Sequence, residues 1–170
     1  MKTVLIVDGY NVINSWPELA ALKQQTLEDA RGKLLEIMTN YAGLTGIKVV
    51  IVYDAYQVKG ARGSKDFYHG VEVIFSREGE TADEVIERTV GEYMDEGSYQ
   101  VYVATSDWTE QRIIFGKGGL RIPARELYLE VEKKLMGMKE YEKDQEIADR
   151  FLEHRLSDSV RGKLENWRRK

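Results

Sequence analysis

Three apolar runs climb toward aspartates: Val4-Leu5-Ile6-Val7 before Asp8, Val49-Val50-Ile51-Val52-Tyr53 before Asp54, and Val101-Tyr102-Val103-Ala104 followed by Thr105-Ser106-Asp107. Continuous runs rich in β-branched residues predict strands buried on both faces, the kind found in parallel sheets. Val71 to Phe75 predicts another strand, and Leu120 to Ile122 a short one ahead of Pro123. Helical spacing fills the gaps. Ser15-Trp16-Pro17-Glu18 has capping-box spacing with proline just inside, which predicts a short helix. Leu27, Ala30, Leu34, Met38 and Tyr41 predict a helix from about Thr26, closed by Gly43 and Gly46. Thr81-Ala82-Asp83-Glu84 is a second capping box, ahead of the stripe Ala82, Val85, Ile86, Thr89, Val90 and Tyr93. A further helix is expected after Asp107, where Trp108, Ile113 and Ile114 can pack. Residues 55–70 read as a polar loop, and from Ala124 the chain reads as helical, broken near Gly137 and around Ser157. Strands alternating with helices predict one doubly wound α/β domain over residues 1–137. A helical C-terminal extension, residues 138–170, is expected to pack on it.

Composition narrows the chemistry. Hydrophobic content of 42% and charged content of 32% suit a globular chain and argue against wholesale disorder. The absence of cysteine removes disulfides, thiolate metal sites and cysteine nucleophiles. His69 and His154 are the only histidines, and neither sits in a motif that supports acid–base catalysis. No apolar stretch is long enough to cross a bilayer and the N-terminus enters a strand directly, so the cytoplasm is the expected compartment. A net charge of −4 means that any attraction to nucleic acid must come from a local patch.

In an open α/β sheet the ligand crevice lies beyond the carboxyl ends of the strands. Two unit negative charges ~4 Å apart repel by roughly 4 kcal/mol at an effective dielectric of ~20, so clustered carboxylates need a cation. Each acidic residue also has a purely structural reading. Asp8 with Gly9 can form a turn. Asp107 can cap the following helix, Glu110 completing the box, unless Ser106 caps it and leaves Asp107 for metal. Asp83 can complement the helix dipole from the second helical position, although it borders the buried stripe through Ile86 and Val90. Asp54 is a metal ligand, a support for one, or a turn former; Asn11 braces Asp8 or caps. Jointly, Asp8, Asp83 and Asp107 come from two strand ends and one helix start expected at the same edge. Oxygen ligands without cysteine suit Mg²⁺ or Mn²⁺ rather than zinc.

Val7-Asp8-Gly9-Tyr10-Asn11, Thr81-Ala82-Asp83 and Thr105-Ser106-Asp107, in that order and spacing, resemble the NYN domains, relatives of the PIN-type nucleases. Tyr53-Asp54-Ala55, the Gly-rich basic loop and Gly79-Glu80-Thr81-Ala82-Asp83 bring the likeness closest to the YacP-like bacterial branch, and it runs from Asp8 to about Glu126. The resemblance implies a PIN-like three-layer α/β/α fold with a mostly parallel five-stranded sheet. It also implies metal-dependent RNA endonuclease activity, which some YacP-like members direct at messenger RNA in association with ribosomes. Carried over, Asp8, Asp83 and Asp107 would form the acidic metal centre, with Asn11, Asp54 and Ser106 beside it.

The loop adds cations and aromatics: Tyr56, Lys59, Arg62, Lys65, Phe67, Tyr68 and His69 among three glycines. Such a mixture suits single-stranded nucleic acid, with phosphates on the cations and bases on the rings; the plainer reading is a solvated loop. Lys117, Arg121 and Arg125 would extend the track, and Tyr10 would stack on a base or pack beneath the loop. The expected activity is therefore cleavage of single-stranded RNA by metal-activated water, with no membrane partner and no preference for DNA. Two alternatives stand beside it: an RNA- or ribosome-binding module with a vestigial acidic pocket, and a phosphotransfer domain. The second lacks the Asp-x-Asp arrangement, since Gly9 and Tyr10 follow Asp8.

Overall fold

The computed structural model describes residues 1–56, 58–106, 114 and 116–168, with side chains through residue 152. Its sheet has six strands among these residues: β1 (Lys2–Asp8), β2 (Lys48–Tyr53), β3 (Arg62–Tyr68), β4 (Val71–Arg77), β5 (Tyr99–Ala104) and β6 (Leu120–Ile122). They lie in the order β3-β4-β2-β1-β5-β6. Every neighbouring pair is parallel except β3 with β4. The helices are α1 (Gly9–Ser15), α2 (Pro17–Lys23), α3 (Leu27–Thr45), α4 (Ala82–Glu96) and α5 (Ala124–Arg168).

Both faces of the central strands are buried, as their unbroken apolar runs require. Val4, Ile6, Val50, Val52, Val101 and Val103 form one core with Ala82, Val85, Ile86 and Val90 of α4. Leu5, Val7, Val49, Ile51 and Tyr53 alternate with them and are buried on the opposite face, against α1 and α3. Each such side chain, fully buried, contributes roughly 1.5–3 kcal/mol, so these strands carry the domain. Trp16 is 2% exposed, and its indole N–H donates to the carbonyl of Ala124 at 2.8 Å, tying the α1–α2 corner to the start of α5.

The helix starts follow local chemistry. Thr26 caps α3 by accepting from the Asp29 amide, and Gly46, at φ 73°, ends that helix in the left-handed region. At α4 both halves of the Thr81–Glu84 capping box are present. Several expectations need correction. Ser15 does not cap α2: it is the last residue of α1 and its hydroxyl donates to the Asn11 carbonyl, while Trp16 occupies the cap and Pro17 opens the helix. Gly43 lies inside α3 rather than at its end. Neither Gly137 nor Ser157 breaks α5. One helical glycine costs about 1 kcal/mol relative to alanine, and the Leu, Met, Lys and Glu residues around Gly137 outweigh it.

The sheet has six strands rather than five, because residues 62–68 form a strand inside the expected loop. All seven residues of β3 are exposed, so no buried face marks it in the sequence. Backbone pairing to β4 holds it, through a two-residue turn in which His69 (φ 43°) and Gly70 (φ 86°) both adopt positive φ. That geometry is the favoured hairpin turn, usually signalled by Asn-Gly rather than His-Gly. Residues Met1–Glu132 form one compact unit and the remainder of α5, from Lys133, a second. In the first, Ala124, Leu127 and Val131 are the buried positions of α5. The helix predicted after Asp107 falls on residues 107–113, which lie outside the described ones; Ile114 is buried. No helix among the described residues is long and apolar enough to cross a membrane.

Candidate active site

Because β1, β2, β4 and β5 are parallel, their carboxyl ends share one edge of the sheet. The chain first builds outward from β1 through β2 and β4, then crosses to β5 and β6 on the other side. The crevice between β1 and β5 is therefore the topological switch point, where open α/β sheets bind ligands.

Asp8 ends β1 at this point and occupies the N-cap of α1. The hydroxyl of Thr105, a fully buried residue just beyond β5, donates to Asp8 Oδ2 at 3.3 Å. One turn into α1, Asn11 Oδ1 accepts the Ser106 amide at 2.8 Å. Thr105 is itself fixed from β6: its amide donates to the Ile122 carbonyl at 3.1 Å, and its carbonyl accepts from Arg121 Nε at 3.0 Å. The start of α1 and the end of β5 are thus tied side chain to backbone across the switch point. The contact between Thr105 and Asp8 spans 97 residues and has no local signal in the sequence.

Beneath Asp8 lies an aromatic stack. The Tyr53 ring sits between Tyr10 (centroids 4.8 Å apart) and Phe75 (5.0 Å). It approaches so closely that a Cβ on Gly9 would stand 2.3 Å from it. Arg31, on α3, places its guanidinium 5.6 Å from the Phe75 centroid and donates to the Tyr10 hydroxyl at 3.2 Å. The Tyr53 hydroxyl is buried with no hydrogen-bond partner among the described residues. Burial pushes its pKa well above the ordinary phenol value, Tyr10 adds to the rise and Arg31 opposes it, so the group stays neutral. A buried polar group left unpaired costs about 1–3 kcal/mol. Tyr53→Phe is therefore expected to leave the thermal midpoint unchanged or raise it by a few degrees; a fall in that midpoint would mean that the hydroxyl is satisfied in solution.

Asp54 and Asp83 approach the same edge from the β2–α4 side. Asp54 Oδ1 accepts the Tyr56 amide at 2.7 Å, and Oδ2 accepts the Ala82 amide at 3.4 Å, joining the end of β2 to the first turn of α4. Asp83, the next residue of that turn, is exposed. Glu80 is engaged by Arg88 at 3.0 Å, and that hydrogen bond holds its carboxyl below the usual range. Asp107 lies outside the described residues. Among the described residues no three Asp, Glu or His side chains cluster closely enough to hold a metal ion. The donor chemistry nevertheless suits a hard cation: Mg²⁺ commonly takes one or two carboxylates and completes its shell with water and substrate phosphate. Asp8 and Asp83 are oxygen donors of that kind.

The cationic residues divide into two sets. Lys65 pairs with the buried Glu72 at 3.3 Å, Lys117 with Glu87 at 3.7 Å, and Arg121 is directed at Thr105. Lys59, Arg62 and Arg125 are exposed. Arg62 stands opposite Arg77, at the carboxyl edge, whereas Lys65 lies three residues further down the strand. Tyr10 is half-buried in the stack rather than displayed on the surface.

The YacP-like NYN domain model matches residues 5–169. A Bacillus subtilis (strain 168) protein named YacP is 50% identical over 129 residues, which cover 76% of this chain and 75% of that one. The crystal structure of Rae1 (YacP) from Bacillus subtilis is similar at a TM-score of 0.74 and 42% identity, covering 98% of this chain and 95% of that one. A mutant of that protein matches at a TM-score of 0.70 and 43% identity, covering 81% and 80%. An NYN domain suggests a nuclease-type, RNA-related function. On the sequence match and the shared sheet, this chain belongs to the YacP-like NYN domain family.

Proposed function

We propose that the protein is a metal-dependent endoribonuclease that cuts single-stranded RNA, messenger RNA foremost, by attack of water on the phosphodiester. The observation that carries this reading is the pair of bonds at the switch point, Thr105 to Asp8 and Ser106 to Asn11. They hold a strand-end carboxylate in a fixed position where the fold binds ligands, and the family supplies the reaction class. Asp8 and Asp83 would hold Mg²⁺ or Mn²⁺ together with Asp107, and Asp54 would support them from the β2 end. When bound, such an ion neutralises charge on the phosphate and makes the attacking water more acidic.

The chain's own residues do the rest. The Thr105 hydroxyl occupies one lone pair of Asp8 and so orients its carboxylate. Asn11 holds the backbone at Ser106. Exposed Arg62, Lys59 and Arg125 would draw the RNA backbone toward the edge of an otherwise acidic chain.

End-labelled single-stranded RNA incubated with the protein is expected to be cut internally with Mn²⁺ and left intact with excess chelator. The products should carry 5′-phosphate and 3′-hydroxyl ends. Cleavage at the same rate in chelator would overturn the metal assignment. Exposed Lys59, Arg62 and Arg125 would serve equally in a second reading, a binding module with a vestigial pocket. That module would retain RNA in a filter-binding assay and turn none of it over.

A further inference from the structure

On the α3 face of the sheet, beside the proposed centre, three arginines converge from different parts of the chain. Arg62 of β3 and Arg77 of β4 are directly opposed in the antiparallel register, so their side chains leave the same face. Phe75 is two residues before Arg77, hence also on that face, and the Arg31 guanidinium lies over its ring at 5.6 Å. Arg31 also donates to Tyr10, two residues beyond Asp8, which links the cluster to the switch point.

Like charges directly opposed across a β-ladder are unfavourable unless something neutralises them. Among the described residues none of the three arginines has a carboxylate within ion-pair distance, although the chain carries 29 acidic residues. Of the acidic residues nearby, Glu80 is hydrogen-bonded to Arg88 and meets the Arg77 charge only beyond ion-pair distance, and Glu78 accepts the Gly60 amide. Arg31 spends one of its five N–H donors on Tyr10 and is held in place by the ring it covers, so little side-chain entropy remains to be lost on binding. A planar guanidinium with spare donors matches a phosphate better than any neutral group.

We propose that Arg31, Arg62 and Arg77 form a phosphate-binding subsite that grips the single-stranded RNA backbone on the β2–β4 side of Asp8. This rests on the RNA reading above and adds to it where the strand runs. The test is equilibrium binding of a fluorescent single-stranded RNA in chelator, across a series of KCl concentrations, for the wild type, Arg31→Met and Arg77→Met. Each phosphate contact on a single strand contributes about 0.7 to the slope of log K against log salt, so each variant should lose about that much. At a fixed moderate salt, binding should weaken about tenfold, as for the loss of one charge-assisted hydrogen bond. A merely structural arginine would leave the slope untouched. If Arg31→Met fails to fold, Arg77→Met, an exposed position, carries the test, and Arg31→Lys should keep the slope while weakening binding. Wild-type binding with unchanged slopes in the variants overturns the subsite alone. No binding by the wild type overturns the RNA reading itself.

Discussion

Asp8→Asn is expected to lower Mn²⁺-dependent cleavage of single-stranded RNA by at least about a hundredfold, since even groups behind a metal's direct ligands cost 10–100-fold when removed. Asparagine has nearly the same shape and keeps an oxygen for the Thr105 hydroxyl, so the bond that ties β1 to the end of β5 survives. What it loses is the negative charge, the property that a hard cation needs from this position. The comparison is clean because the substitution is nearly isosteric: the carboxylate is half-buried, and the amide oxygen can still accept the bond from the Thr105 hydroxyl. Single-turnover rates at saturating Mn²⁺, with melting curves of both proteins, provide the measurement. A folded Asp8→Asn protein that cleaves at the wild-type rate would remove Asp8 from the centre.

Gly9→Ala, one residue on, should act on the fold instead. A Cβ there would stand 2.3 and 2.5 Å from carbons of the Tyr53 ring, well inside van der Waals contact. The ring cannot retreat, because Tyr10 and Phe75 flank it at 4.8 and 5.0 Å and the residue is 2% exposed. Overpacking of this kind costs typically 1–3 kcal/mol, and a clash with a pinned aromatic belongs at the upper end. For a chain of this size about 3 kcal/mol corresponds to roughly 6–12 °C in thermal midpoint. Trimming the obstacle supplies the control: in a Tyr53→Leu background the added methyl should cost far less, a coupling that a double-mutant cycle by chemical denaturation would read. Equal costs in both backgrounds would mean that the ring is not the obstacle. The same tight fit explains how the site is built. Without a side chain at residue 9, α1 can begin directly on the end of β1, keeping Asp8 and Asn11 within one helical turn of each other.

The residues divide according to how far apart in the chain their partners lie. The buried strands β1, β2, β4 and β5 were readable because an unbroken β-branched run has one comfortable place, between two layers. The starts of α3 and α4 were readable because capping acts within three residues. Asp8 and Asn11 could be picked out as a strand-end pair, and Asp83 as a carboxylate in the first turn of a capped helix.

Local pattern could not reveal β3, whose exposed residues owe their strand to backbone pairing with β4 and to a His-Gly turn. Nor could it show that Thr105 reaches Asp8, that both oxygens of Asp54 receive backbone amides, or that Arg31 lies over Phe75. Sequence by itself therefore determined the buried strands, the capped starts of α3 and α4 and the aspartates Asp8 and Asp54 that close β1 and β2, because those preferences are settled by neighbours a few residues away. Only the tertiary structure decided the strand order, the switch point between β1 and β5, and the meeting of Arg31, Arg62 and Arg77. These depend on which crossover carries each strand past the others, and that choice is made by the packing of the whole sheet.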